Sequence, residues 1–292
     1  MKALSVLLLA AAAPVAAADP APPVSLAWNL RPAAPGNVAR VDSVLGTFTD
    51  KDVRGETFVS VATLAYKVLP TLVPVVRVAA LASDPATGPN AGGVSNPVIG
   101  ATWSPLVGHP WKLGVFGALA VPVGSGGGNT GDPARAAAEK AAVVARSSMD
   151  NAMFAVNDLT PIVGLDLAYV DRGLTLQAEA TVLELIRVRG EAVDPDHYKT
   201  NFTSGFHAGY FVLPWLCASA EVRYQRYLST PAAVAMAPAT RDNLTVAIGV
   251  RGQWKLDDRH VLRPGLSYAR GLDDPMASRG YDIIQLDLPF AF

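Results

Sequence analysis

Residues 281–292 read YDIIQLDLPFAF. Ile284, Leu286, Leu288, Phe290 and Phe292 share one parity, and Gln285, Asp287, Pro289 and Ala291 share the other. This is the period of a β-strand, apolar on one face and mostly polar on the other. Terminal residues of soluble chains usually fray, so an apolar strand running to the carboxylate predicts a neighbouring strand that holds it.

Working back from this strand, the same alternation recurs in eleven further segments: 39–50, 57–68, 71–82, 97–104, 111–121, 160–170, 174–189, 201–212, 216–227, 243–255 and 260–270. Turn-forming stretches separate them. Short connections at Leu69-Pro70, around Gly108, at 171–173, at Leu213-Pro214 and at 256–259 alternate with longer ones at 83–96, 122–159, 190–200, 228–242 and 271–280. The connection at 51–56 belongs to the long set but is no longer than the short one around Gly108. This asymmetry predicts an all-β fold: a closed antiparallel transmembrane barrel of twelve strands, with short periplasmic turns and long outer loops. An even strand count is expected to place both ends of the chain in the periplasm.

The opposite end of the chain agrees. MKALSVLLLAAAAPVAAA (1–18) has one Lys, a short apolar stretch, and small residues at Ala16 and Ala18 before Asp19, the layout of a secretory signal peptide. Residues 19–38 are expected to be a periplasmic lead-in. Their stretch 24–30 also alternates but would make a thirteenth strand, so it is assigned to that lead-in or to a plug.

Composition narrows the partners. The formal net charge is −1, so no nucleic acid is expected, and half the residues are hydrophobic without a later run of about 18 that could span as a helix. The one cysteine, Cys217, cannot form an internal disulfide. Four of the five tryptophans, Trp103, Trp111, Trp215 and Trp254, fall beside proposed short turns, where an interfacial aromatic girdle would lie. Tyr66, Tyr169, Phe290 and Phe292 would join that rim; Tyr227, Tyr281 and Phe58 would form the opposite one.

Parity then assigns the faces. Arg77, Lys112, Asp166, Glu179, Glu221, Arg223, Arg251, Arg263 and Asp287 are the lumen-lining candidates, charged in both signs. A basic residue on the lipid face costs about 2–4 kcal/mol near the midplane, which fixes this facing. Pro74, Pro161, Pro264 and Pro289 fall inside proposed strands and predict bulges, strand ends or local water.

The export signal, the alternating hairpins and the QLDLPFAF ending together resemble a Gram-negative outer-membrane β-barrel protein. That resemblance implies a bacterial outer-membrane location, surrounding lipid, and recognition by the barrel-assembly machinery through Leu286, Leu288, Phe290 and Phe292. The stretch NPVIGATWSPLVGHPWKLGVFGALAVPVGSG (96–126) is similar to the family of outer-membrane transporters linked to the phenol meta-cleavage pathway. This implies passage of small molecules, hydrophobic or aromatic ones among them.

Other chemistry is weakly supported. His207 lies inward by parity with Ser204 nearby, but three residues apart on a strand places them on opposite faces, and there is no GxSxG elbow. His197 with Asp194 and Asp196 lacks a spaced second ligand, so no metal or cofactor is expected. The glycine run 124–131 lacks the Lys-Ser/Thr of a phosphate loop.

The loop 122–159 carries more. Asp132 is a candidate N-cap, Pro133 suits the first helical position, and good helix formers follow to Arg146. Arg135, Glu139, Lys140, Arg146, Met149, Met153 and Phe154 are the constriction candidates if the helix folds into the barrel mouth; the other placement is on the outer rim. The leading expectation is a channel for passive uptake of small solutes and not an enzyme. A structural or adhesive barrel with an occluded lumen, and a lipid-modifying enzyme, are the alternatives.

Overall fold

The computed structural model describes residues 23–292; the expected signal peptide 1–18 and residues 19–22 lie outside it. Twelve strands form the wall. They are β1 (Val38–Asp50), β2 (Val53–Ala65), β3 (Leu72–Asp84), β4 (Val98–Leu106), β5 (Trp111–Ala120) and β6 (Asp158–Asp171), then β7 (Leu174–Arg187), β8 (Tyr198–Leu213), β9 (Leu216–Tyr227), β10 (Asp242–Gly252), β11 (Gly265–Gly271) and β12 (Asp282–Ala291).

Each strand pairs antiparallel with the next, and β12 pairs back to β1 from Val38↔Ala291 to Thr47↔Asp282. No edge is left in the ring, which satisfies every ladder without water. Thirteen residues, as in β1 and β2, rise about 43 Å, or about 30 Å along the axis at a tilt near 45°, the thickness of a bilayer's hydrocarbon core.

Side-chain alternation does the sorting. Along β6, Val163, Leu165 and Leu167 point out and are exposed, while Asp166 and Ala168 are buried inside. The closing strand presents Ile284, Leu286 and Leu288 outward against buried Ile283, Gln285 and Asp287. Trp103, Trp111, Trp215 and Trp254 are each about half exposed on the outer surface near the short turns, and Trp111 meets Tyr169 edge to face at 5.1 Å. An apolar exterior on a closed ring, with short turns at one end and long loops at the other, is the architecture of an outer-membrane barrel.

Prolines interrupt the ladders where a missing N–H is tolerated. The β6–β7 register passes from Leu159↔Ile186 to Ile162↔Leu183 with nothing paired between, so Pro161 has no partner on that side, while on the other it stands opposite Leu119. Pro264 separates β11 from the short piece Val261–Leu262, which pairs with Trp254–Lys255 and with β12. Pro74 and Pro289 lie close to strand ends. Two rim assignments are corrected: Tyr281 does not reach the membrane surface but turns inward, stacked on Phe48 at 5.3 Å in the room that Gly46 leaves, and Tyr227, on the parity of inward Glu221, Arg223 and Gln225, stands opposite buried Asn201.

Candidate functional site

The lumen is filled from both ends. Residues 23–37 precede β1 at the short-turn end, and from Ser25 to Ala33 they run inside the barrel, so of the two placements expected for 24–30 the structure has the plug and not the periplasmic lead-in. Ala33 lies against Gly114 and Ser104 near that end, Leu30 and Arg31 reach mid-barrel, and Ser25 returns to Thr175 and Cys217, again near short turns. Trp28, the fifth tryptophan, is fully buried here.

This segment has no strand partner, so its backbone groups need side chains. The wall supplies them. Ser25 N donates to Thr175 Oγ1 (3.0 Å), Trp28 N and Asn29 N to the two oxygens of Glu221 (2.7 and 3.0 Å), and Arg31 N to Glu179 Oε2 (2.6 Å). In the other direction, Ser104 Oγ donates to Ala33 O (2.9 Å), Gln285 Nε2 to Trp28 O (3.3 Å), and Gln177 Nε2 to Arg31 O.

Inward glycines make the room. A Cβ on Gly209 would fall 2.0 Å from Ser25 Oγ, on Gly205 2.4 Å from a Leu30 methyl, and on Gly265 2.6 Å from the Trp28 ring. Glycine inside a strand marks close approach of another chain segment, and here three such glycines on β8 and β11 face one segment.

The expected lumen charges are all directed inward, and most meet the segment or the seam. Arg31 bridges Glu179 (3.0 Å) and Asp166 (3.4 Å) and lies over the Phe116 ring at 4.5 Å. Arg251 reaches Asp287 (2.6 Å) and covers Trp28 at 4.4 Å, and Arg223 pairs with Glu221 at 2.7 Å. Across the β1–β12 seam Asp42 stands opposite Asp287, two like charges held by Arg40 on Asp287 (2.7 Å) and Arg146 on Asp42 (2.9 Å). Lys112 and Arg263 lie close to each other and to Lys67 toward the short-turn end without an acidic partner among the described residues, and Arg251 Nη1 donates to Arg263 O at 3.0 Å.

From the other end comes the loop. Helix α1 (Pro133–Ala145) starts at Asp132, whose carboxylate accepts from Ala134 N at 2.9 Å, and α2 (Asn151–Phe154) follows. The helix lies in the barrel mouth: Ala138, Ala142 and Ala145 pack with inward Val59, Val61 and Leu81. Of the constriction candidates, Glu139, Arg146, Met149, Met153 and Phe154 are buried, whereas Arg135 and Lys140 face solvent.

Two buried charges on the loop differ in kind. Arg146 is surrounded by Asp42 and Asp150, whose attraction outweighs burial and holds its guanidinium charged; Arg77 completes the set at 2.8 Å from Asp150. Glu139 is 3% exposed with both oxygens unpartnered, and burial alone pushes its carboxyl up to about 8. The loop and the N-terminal segment also touch: Asn29 Nδ2 donates to Arg146 O at 3.2 Å. A cavity of about 30 Å³ remains between Arg31, Glu179 and Thr181 on one side and Phe116, Met153 and Asp150 on the other, room for a single water.

One cluster has the residue types of a hydrolase. Ser25, not Ser204, meets His207, with Oγ 3.0 Å from Nε2 and Cys217 Sγ 3.1 Å beyond. The Nδ1 to Glu221 distance is 3.6 Å, too long for the orienting hydrogen bond, and Ser25 is only 2% exposed. Among the described residues no three His, Cys, Asp or Glu side chains are grouped to hold a metal.

Parity alone found the wall residues, but it missed Arg31, Trp28 and Ser25. The signal for them was the set of inward glycines: Gly209 for Ser25, Gly265 for Trp28 and Gly164 on β6 for Arg31.

No protein-family model matches the chain, and no curated protein matches it in sequence. Among solved structures it is similar to the NanC porin (5% identity, covering 86% of this chain and 98% of that one, TM-score 0.49). It is similar also to the KdgM porin (9%, 87% and 99%, 0.45) and to a Pseudomonas aeruginosa FadL homologue (11%, 88% and 90%, 0.45). At this level the likeness says nothing of solute or mechanism, and the barrel stands on its own strand pairing. The chain is a closed twelve-stranded barrel of outer-membrane type whose lumen is occupied by its own N-terminal segment and by one long loop.

Proposed function

We propose that this barrel is an outer-membrane channel for passive uptake of small solutes, and that the conformation described is its closed state. One observation carries the reading. The lumen wall is lined with ionised and hydroxyl side chains, and what fills it is a segment joined to the wall by side chains and not by a strand ladder. A permanent core would favour apolar packing, since buried ion pairs barely offset their desolvation. Polar walls suit a path that is at times wet.

The solute is small because twelve strands enclose a lumen between the filled eight-stranded barrel and the open porin. The likeness of 96–126 to the phenol meta-cleavage transporters adds aromatic and hydrophobic molecules to the proposed class. In the same reading Leu286, Leu288, Phe290 and Phe292 form the signal for the barrel-assembly machinery, and lipid surrounds the wall. The filling of both ends favours a second reading, a structural barrel that never opens. Planar-bilayer recording on the full chain separates the two: discrete ion-passing steps are expected, and silence at all voltages would favour the permanently occluded barrel.

A further inference from the structure

Asp166 and Glu179 stand directly opposite each other on β6 and β7, both inward and both buried. Two carboxylates side by side in a lumen are relieved either by a shared proton or by a cation set between them, and here a cation stands there. Among the described residues Arg31 is the one cation within 4.0 Å of either, and it belongs to the N-terminal segment, not to the wall. The wall therefore presents an acidic pair that the wall itself does not neutralise.

The surroundings fit one kind of cation. Arg31 Nη1 meets Glu179 at 3.0 Å, Nη2 meets Asp166 at 3.4 Å and donates to Thr181 Oγ1 at 2.7 Å, and the Phe116 ring lies under the guanidinium plane at 4.5 Å. Acceptors around the edge and an aromatic face beneath suit a planar, forked donor better than a compact ammonium. The second oxygen of Asp166 is buried with no partner, so the site has an acceptor to spare.

We propose that Asp166, Glu179, Thr181 and Phe116 form a binding site for small guanidinium-bearing solutes, occupied in the closed barrel by Arg31. A solute of that class competes with Arg31 and loosens the N-terminal segment, and so the inference deepens the channel reading and rests on it for its physiological meaning.

Cys217 reports the event. It is fully buried and covered by Ser25, six residues before Arg31, so displacement of the segment exposes the thiol to the lumen. The experiment measures maleimide labelling of Cys217 in the folded full chain, with agmatine or with putrescine, a diamine of the same charge lacking the guanidinium.

Agmatine is expected to raise the labelling rate about tenfold, the effect of losing one charge-assisted contact, and putrescine to do so less. Arg31→Ala, which leaves the wall untouched, is expected to label fast without any ligand. Asp166→Asn with Glu179→Gln is expected to abolish the agmatine response. No response to agmatine in the unmodified chain, an equal response in the double variant, or equal protection of Cys217 in Arg31→Ala would each overturn the site. Labelling driven by agmatine in a barrel that passes no current would keep the site and sink the channel; current steps with no agmatine response would do the reverse.

Discussion

The six-membered edge of the Trp28 indole occupies the volume that a side chain at Gly265 would need, with a Cβ there 2.6 Å from Cζ3 and 2.7 Å from Cη2. The nearest atoms are side chains of Trp28 and Arg251, not backbone, so a methyl group at this position pushes on the N-terminal segment and not on the sheet. Gly265→Ala is expected to leave the barrel folded while raising both Cys217 labelling and the frequency of current steps. An unchanged labelling rate would show that Trp28 adapts in place.

Ser25 Oγ and Cys217 Sγ are 3.1 Å apart, close enough that a second thiol at position 25 needs only a small shift to bond. The Ser25→Cys protein is therefore expected to be silent in bilayers when oxidised and to regain the steps of the unmodified chain on reduction. Conduction through the oxidised, cross-linked form would mean that solutes pass the N-terminal segment without moving it.

Glu139 sets a pH dependence with a defined sign. Its carboxyl titrates near 8 in the docked helix and near the ordinary value of about 4.3 when α1 swings into water. Between those values the docked form holds one more proton than the undocked form. Docking thus has its full strength below about pH 4, weakens as pH rises, by about 1.4 kcal/mol per unit at most, and levels off above about 8. Protection of the amides of 133–154, taken relative to their intrinsic base-catalysed exchange, is expected to fall from pH 5 to 8, and Glu139→Gln to hold that protection constant.

Arg146 neutralises two buried carboxylates, Asp42 on the wall and Asp150 on its own loop, each at 2.9 Å. Removing it in Arg146→Met leaves Asp42 with Arg40 at 3.8 Å and Asp150 with Arg77 at 2.8 Å, so compensation is partial. A loss of about 3 kcal/mol in loop docking is expected, seen as proteolysis between 122 and 159 in a barrel that stays intact.

Leu165 is outward and more than half exposed, next to inward Asp166. Leu165→Arg is expected to lower the stability of the folded barrel in bilayers by about 2–4 kcal/mol, read from a urea titration. A neutral outcome would contradict the placement of the β6 exterior in hydrocarbon.

The ring of strands was legible because a half-buried wall forces an alternation sustained over many segments; 174–182 and 216–224 read as strands on sight. The N-terminal segment was not legible in the same way. Residues 24–30 alternate too, but in the structure Ser25 N, Trp28 N, Asn29 N and Trp28 O are met by wall side chains of distant sequence, such as Glu221 or Gln285, and spacing along one chain cannot show that. Asp132 and Pro133 announced the helix, yet whether α1 lay in the mouth or on the rim depended on the apolar inward patch of Val59, Val61 and Leu81, whose parity alone does not distinguish a helix from a neighbouring loop as its cover. Tyr281 misled because a rim aromatic and an inward aromatic look alike until Gly46 is known to be opposite.

Asn29 and Arg146 join two stoppers that enter from opposite sides of the membrane, and Arg223 adds a second tie by donating from beside Glu221 to Ser147 at 2.9 Å. Any free energy spent to dislodge one is shared with the other, and the sharing runs equally both ways. A molecule pressing on the external loop thus alters how firmly the inner tail is seated, so events in the periplasm and at the cell surface are in thermodynamic conversation across a sealed wall.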